Sequence, residues 1–140
     1  MAVETTLILV KPDGVKRGLI GEVIGRFEAK GLTIAGLKMM KMSSELADKH
    51  YAEHVGKPFF ADLKAFMTGS PLVALAVKGP DAISLARKMM GATKPADALP
   101  GTIRGDYCTE VTENIVHGSD SPESAARELA LWFSDAELVG

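Results

Sequence analysis

The 140 residues, 46% hydrophobic and 24% charged, are expected to form a single domain over residues 1–140 with a substantial core. A formal net charge of −2 argues against a general grip on nucleic acid or anionic membrane, so an anionic ligand must meet cations gathered locally. Cys108 is the one cysteine, so no intrachain disulfide forms, and Leu7–Val10 is too short for a signal segment. No run reaches transmembrane length, and the expected location is the cytoplasm.

In chain order, Thr5–Val10 is a compact aliphatic run stopped by Pro12, Asp13 and Gly14, which predicts a buried strand ending in a turn. Ile20, Val23, Ile24 and Phe27 recur at helical spacing, and Gly31 closes that helix. A second strand, less regular in alternation, is predicted over 32–42. Ser43 or Ser44 is placed to cap a polar helix through His54. Pro58 then precedes a shorter helix carrying Phe59, Leu63 and Phe66 on one face and ending at Gly69.

A third strand is predicted over 71–79, followed by a helix opened by Pro80 and Asp81, with Ile83, Ala86 and Met90 inward. From Ala92 to Glu113 the prolines and glycines allow no long element, and loops of that length in compact domains tend to be functional. Asn114–His117 is the last predicted strand. Ser121 caps a final helix with Pro122 at its first position and Ala125, Leu129 and Trp132 as its stripe. This order suits an α+β fold, a ferredoxin-like βαββαβ sandwich. Its four-stranded antiparallel sheet would carry helices on one face, an inserted helix pair and a long loop at the active site and interface. The Met39–Met40 and Met89–Met90 pairs read as core filler.

Residues able to do chemistry fall where strand ends and loops meet. Lys11 follows the first strand, Arg87 lies beside the buried stripe of its helix, and Thr93, Arg104 and Asn114 sit in or beside the long loop. Three cations with a hydroxyl and an amide suit a phosphate chain. Neither glycine-rich nucleotide fingerprint is present, so such a site must be built from side chains. The plain reading of His117, set between Val116 and Gly118, is a polar residue in a turn after a strand. The chemical reading is a nucleophile: an imidazole attacks phosphorus and leaves again, with Glu128 and Ser119 as candidate orienting groups.

The stretches KPDGVKRG, HYAEHVGKPFF, KPADALPGTIRGD, NIVHGSDS and ESAARELALWF together resemble nucleoside diphosphate kinase, without gaps between them, from Thr6 to about Leu138. The resemblance implies a ping-pong enzyme that moves the terminal phosphate of a nucleoside triphosphate to a nucleoside diphosphate with broad base and sugar specificity. It implies that His117 is the nucleophile, attacking through Nδ1, with Glu128 and Ser119 holding it. Lys11, Tyr51, Arg87, Thr93, Arg104 and Asn114 match the family's phosphate, ribose and active-site positions. Phe59 and Val111 match the pair that sandwiches the base, with Leu63 nearby. Mg2+ would ride on the nucleotide phosphates rather than in a protein cage. The family likeness further implies a homo-oligomer, a tetramer or hexamer, with the loop around Pro95 packing between subunits. Membrane and specific nucleic acid are not expected as partners. The end at Gly140 is similar to short, bacterial-type members.

Two other readings compete. His50, Glu53 and His54 satisfy H-x-x-E-H, a zinc-hydrolase pattern, whose two histidines would share one helical face; the plain alternative is an exposed polar helix. A non-catalytic nucleotide-binding module would keep the fold and lose the chemistry, which the intact set Lys11, Asn114, His117 and Glu128 opposes. Arg104–Asp106 spells an adhesion tripeptide, but its arginine fits the phosphate site better.

Overall fold

Four strands carry the molecule, and none of the two long central ones alternates in polarity. In the computed structural model, which describes residues 3–140, these strands are β1 (Val3–Val10), β2 (Thr33–Met40), β3 (Leu72–Pro80) and β4 (Val116–Gly118). They form one sheet in the order β2-β3-β1-β4, every neighbour antiparallel. The helices are α1 (Pro12–Lys16), α2 (Ile20–Ala29), α3 (Ser44–His50), α4 (Phe60–Thr68), α5 (Ala82–Met90), α6 (Ile103–Tyr107) and α7 (Pro122–Trp132). The ferredoxin-like order is therefore present, with α3 and α4 as the inserted pair.

The expectation of helices on one face is corrected. Ile8, Val10, Val73, Leu75 and Val77 pack beneath α2 and α5, through Val23, Phe27, Ala86 and Met90. Leu7, Leu9, Ala74 and Ala76 pack on the opposite side against Ala47 of α3, Met67 of α4 and Trp132 of α7. The cause is legible in the strands: Leu7–Val10 and Leu72–Val77 are continuous apolar runs, whereas a sheet with one wet face alternates. Leu7, Ile8, Leu9 and Val10 are all fully buried, each contributing about 1.5–3 kcal/mol of hydrophobic stabilisation before entropy is charged.

Local signals operate as read at most element ends. Ser43 Oγ accepts from the Leu46 amide at 3.0 Å, and Ser121 Oγ accepts from the Ser124 amide at 3.1 Å. Gly31 turns the chain out of α2 at φ +98°, a conformation that costs any residue with a Cβ. Three details differ from expectation. Pro12–Lys16 forms a helical turn instead of a simple turn, with Pro12 at the position where no amide is needed. The polar helix stops at His50, so 51–56 is a turn and not its continuation. Met90 is core, but Met39 is 57% exposed on β2, one of the two edge strands of the sheet. The long loop holds only a 3₁₀ turn, Pro95–Asp97, and the five-residue α6. Among the described residues no helix is long and apolar enough to cross a membrane.

Candidate active site

β4 is three residues long, and its His117 lines a cleft of about 280 Å³. Register with β1 places His117 opposite Leu9, beside the end of β1 where Lys11 leaves the sheet. Just before β4 the chain passes through Ile115 at φ +74°, a strained conformation for a β-branched residue. Neighbours hold it there. The Ile115 amide donates to Asp13 Oδ2 at 3.0 Å, and the Ile115 carbonyl accepts from the Lys11 amide at 2.7 Å. Gly14 makes this approach possible, since a Cβ there would lie 3.0 Å from Ile115 Cγ2 and 2.9 Å from Val10 Cγ1. Burial pushes the Asp13 carboxyl upward, against the Ile115 amide and Lys11.

His117 is held from behind. Its Nε2 lies 3.0 Å from Glu128 Oε1, and Ser119 Oγ donates to the same oxygen at 2.8 Å. Ser119 Oγ in turn accepts from the Leu7 amide at 3.3 Å. Burial alone would raise the Glu128 carboxyl, but hydrogen bonds from His117 and Ser119 outweigh it and keep the group below its ordinary range. An ionised Glu128 makes Nε2 the protonated nitrogen, which leaves the lone pair on Nδ1. Ser119 is fully buried and does not line the cleft; it acts on Glu128.

The cleft is also lined by Lys11, Tyr51, Arg87, Thr93, Arg104 and Asn114. Lys11 Nζ donates to Asn114 Oδ1 at 2.8 Å, and Asn114 Nδ2 donates to the Val111 carbonyl at 2.8 Å. Burial and the Arg104 charge lower the Lys11 ammonium to about 8. Burial and Arg87 likewise depress Arg104. These cations repel one another, and an anion between them relieves the repulsion. Burial pushes the Tyr51 phenol up, so it stays protonated and available as a donor. A second cavity of about 540 Å³ shares Lys11, Thr93 and Asn114 with the first and adds Phe59, Leu63 and Val111. All the predicted site residues thus lie in two adjoining cavities, apart from Ser119 behind them.

His50 departs from expectation. It is 4% exposed, not an exposed helix residue, and its ring lies edge-on to His117 with centroids 4.9 Å apart. Trp132 Nε1 donates to its Nδ1 at 3.0 Å. Because an indole nitrogen can only donate, that ring nitrogen is an acceptor and His50 is neutral. Burial, then the neighbouring His117, pushes His50 down to about 3. The zinc-hydrolase pattern does not assemble: the helix ends at His50, Glu53 is exposed, and His54 stacks on Tyr51 and meets the edge of Phe59. Ring or carboxylate atoms of His50, His117 and Glu128 do lie within 4.8 Å of one another. They are already committed to one another, to Ser119 and to Trp132. Sequence reasoning missed His50 and Trp132 as site neighbours, and also Arg127, whose side chain lines the cleft. The one available signal for His50 was its place near the end of a capped helix.

The family model described as nucleoside diphosphate kinase matches residues 4–138. A nucleoside diphosphate kinase from Heliobacterium modesticaldum is 56% identical over 136 residues, covering 97% of this chain and 91% of that one. One from Thermus thermophilus is 56% identical over 136 residues, covering 97% and 99%. Among solved structures, the Aquifex aeolicus nucleoside diphosphate kinase superposes with a TM-score of 0.95 at 41% identity, covering 99% of this chain and 100% of that one. A halophilic nucleoside diphosphate kinase from Halobacterium salinarum, solved in complex with CDP, superposes with a TM-score of 0.95 at 50% identity over 99% and 93% of the two chains. Identity this high, over nearly the whole of both chains and on the same backbone, means that this chain belongs to the nucleoside diphosphate kinase family.

Proposed function

We propose that the protein transfers the terminal phosphate of a nucleoside triphosphate to a nucleoside diphosphate through a phosphohistidine on His117. The observation that carries the reading is His117 with Nε2 held by Glu128 and its ring lining a cleft that also bears Lys11, Arg87 and Arg104. In the first half-reaction the Nδ1 lone pair attacks the γ-phosphorus, an N–P bond forms, and the β–γ bridging oxygen leaves with the diphosphate. In the second, a terminal oxygen of the acceptor diphosphate attacks the same phosphorus and the N–P bond breaks, restoring the imidazole. Positive charge that builds on the ring is met by Glu128. Charge on the transferring group and its leaving oxygen is met by the cations, with Thr93 and Tyr51 as neutral donors.

The substrate is read as a magnesium–nucleotide complex. The donor set favours metal carried on phosphate oxygens, because Glu128 is committed to His117 and Ser119, and the other two carboxylates lining the cleft, Glu53 and Asp120, form no cluster with it that could cage an ion. Phe59 and Val111, 45% and 54% exposed across the second cavity, supply apolar faces for any base, with Leu63 beside them. Lys11 and Asn114 are placed between the two cavities, where a ribose would lie. The assembly is read as a tetramer or hexamer; exposed Leu37 and Met39 on the β2 edge and Leu99 in the long loop, 71% exposed, support self-association. The lone Cys108 supports a cytoplasmic setting.

The test is incubation with γ-labelled ATP followed by a chase with a different nucleoside diphosphate. The enzyme should label, the label should be lost in acid and kept in alkali, and the chase should carry it to the new nucleotide. Equal labelling of His117→Ala would refute the assignment.

A further inference from the structure

The strand that bears His117 is the outermost of the sheet on its side, with β1 on one edge and no strand on the other. Two bonds fix which way its backbone groups face: the Lys11 amide donates to the Ile115 carbonyl, and the Ser119 amide donates to the Leu7 carbonyl. Odd-numbered residues therefore bond toward β1, and the carbonyls of Val116 and Gly118 face the open edge, while the Asn114 carbonyl, just before the strand, accepts from the Val116 amide at 2.8 Å. An edge three residues long that follows a strained Ile115 has little of its own to hold it.

Guanidinium groups take both edge carbonyls, and one of them adds a second donor to the Asn114 carbonyl. Arg104 Nε donates to the Asn114 carbonyl at 3.3 Å, and its Nη2 donates to the Val116 carbonyl at 2.7 Å. Arg87 Nη1 donates to the Gly118 carbonyl at 2.9 Å. Arg104 Nη1 also ties in the Gly91 carbonyl, at the end of α5, at 2.9 Å. We propose that Arg104 and Arg87 close the open edge of β4 in place of a further strand, as positioning residues that hold His117 in register.

Charge alone does not explain this arrangement. A guanidinium offers five N–H donors in a fixed plane, so Arg104 can brace three carbonyls and still turn two N–H groups toward a phosphate. An ammonium is a point charge on a flexible stem and cannot span separate carbonyls whose positions the backbone sets. Arg104 is 5% exposed, so carbonyls left unmet there would find little water. The inference rests on His117 as nucleophile only for its catalytic consequence; the brace is a property of the nucleotide-free protein.

Hydrogen exchange on nucleotide-free protein, paired with rapid-quench labelling by ATP, tests it. In Arg104→Lys the amides of Lys11 and Ser119 should exchange at least about tenfold faster, relative to amides between β1 and β3. Thr93→Ala, which removes a cleft hydroxyl with no bond to β4, should leave that exchange unchanged. Labelling of His117 in Arg104→Lys should slow by about 100-fold at saturating ATP, with a smaller change in the Kd for ADP. Should Arg104→Lys fail to fold, Arg87→Lys carries the same comparison at Ser119, next to the Gly118 carbonyl. Wild-type exchange in both variants, with the loss confined to nucleotide affinity, would overturn the proposal and leave the arginines as phosphate ligands alone. A wild-type protein that does not label would refute the phosphotransfer reading, and the exchange result would still decide the brace.

Discussion

Acid should destabilise this protein through His50, and the size of the effect follows from its surroundings. Protonating Nδ1 would set N–H against the Trp132 N–H and place a charge in a site that is 4% exposed. His117 and Glu128 face it from β4 and α7, with Arg127 and Lys11 also acting on it. Burial first, then His117, lowers it from 6.5 to about 3, so the unfolded chain binds a proton that the folded protein refuses. A base depressed in this way contributes no destabilisation above its unfolded value; stability then falls as pH falls from 6.5 toward the folded value. At about pH 5 the loss is about 2 kcal/mol, and a folded value anywhere below about 4 yields the same figure. At about pH 7.5 the contribution is roughly zero.

The comparison protein is His50→Gln, which does not titrate and keeps a side-chain acceptor for Trp132. Urea unfolding followed by the single tryptophan, at about pH 7.5 and about pH 5 and one protein concentration, reads the difference. Wild type should lose about 2 kcal/mol more than the variant between the two pH values. Parallel losses in the two proteins would refute the reasoning and mean that His50 accepts a proton in place.

Glu128→Gln keeps an acceptor beside His117 but removes a charge; unit charges about 4 Å apart at an effective dielectric near 20 interact by about 4 kcal/mol, and roughly half of that corresponds to about 30-fold slower labelling. Rapid quench should show this with nucleotide affinity nearly intact, whereas collapsed binding with an unchanged saturated rate would place Glu128 in the substrate site. For specificity, the apolar faces of Phe59 and Val111 should separate bases by only ~1–3 kcal/mol, with purines modestly favoured by stacking. Measured kcat/KM for ADP, GDP, CDP, UDP and dTDP should therefore fall close together, and a preference of about ten-thousandfold would reveal a polar reader of the base.

Much of this protein is written locally. The stripe Ile20, Val23, Ile24 and Phe27, and the Ser121–Pro122 opening of α7, specify helices through backbone geometry and capping that act within a few residues. The residues around His117, with Lys11, Arg104 and Glu128, point to phosphate chemistry because few side chains can attack phosphorus or neutralise it. The unbroken apolar runs of β1 and β3 even record that both sheet faces are covered, a signal that a one-sided reading passes over.

Other features exist only once distant segments meet. Polarity and spacing treat His50 as a surface residue; it is buried because α7 brings Trp132 across a separation of 82 residues to take its Nδ1. Ile115 looks like an ordinary strand residue, yet Asp13, about 100 positions away, and the missing Cβ of Gly14 keep it in the left-handed region. Arg104 and Arg87 read as phosphate-binding cations, and only the open edge of β4 shows that part of their hydrogen bonding goes to the backbone that carries His117. Capping and periodicity are short-range and survive in the sequence; burial, tautomer and strain depend on which atoms of remote residues come within hydrogen-bond distance, and that is settled by the tertiary structure.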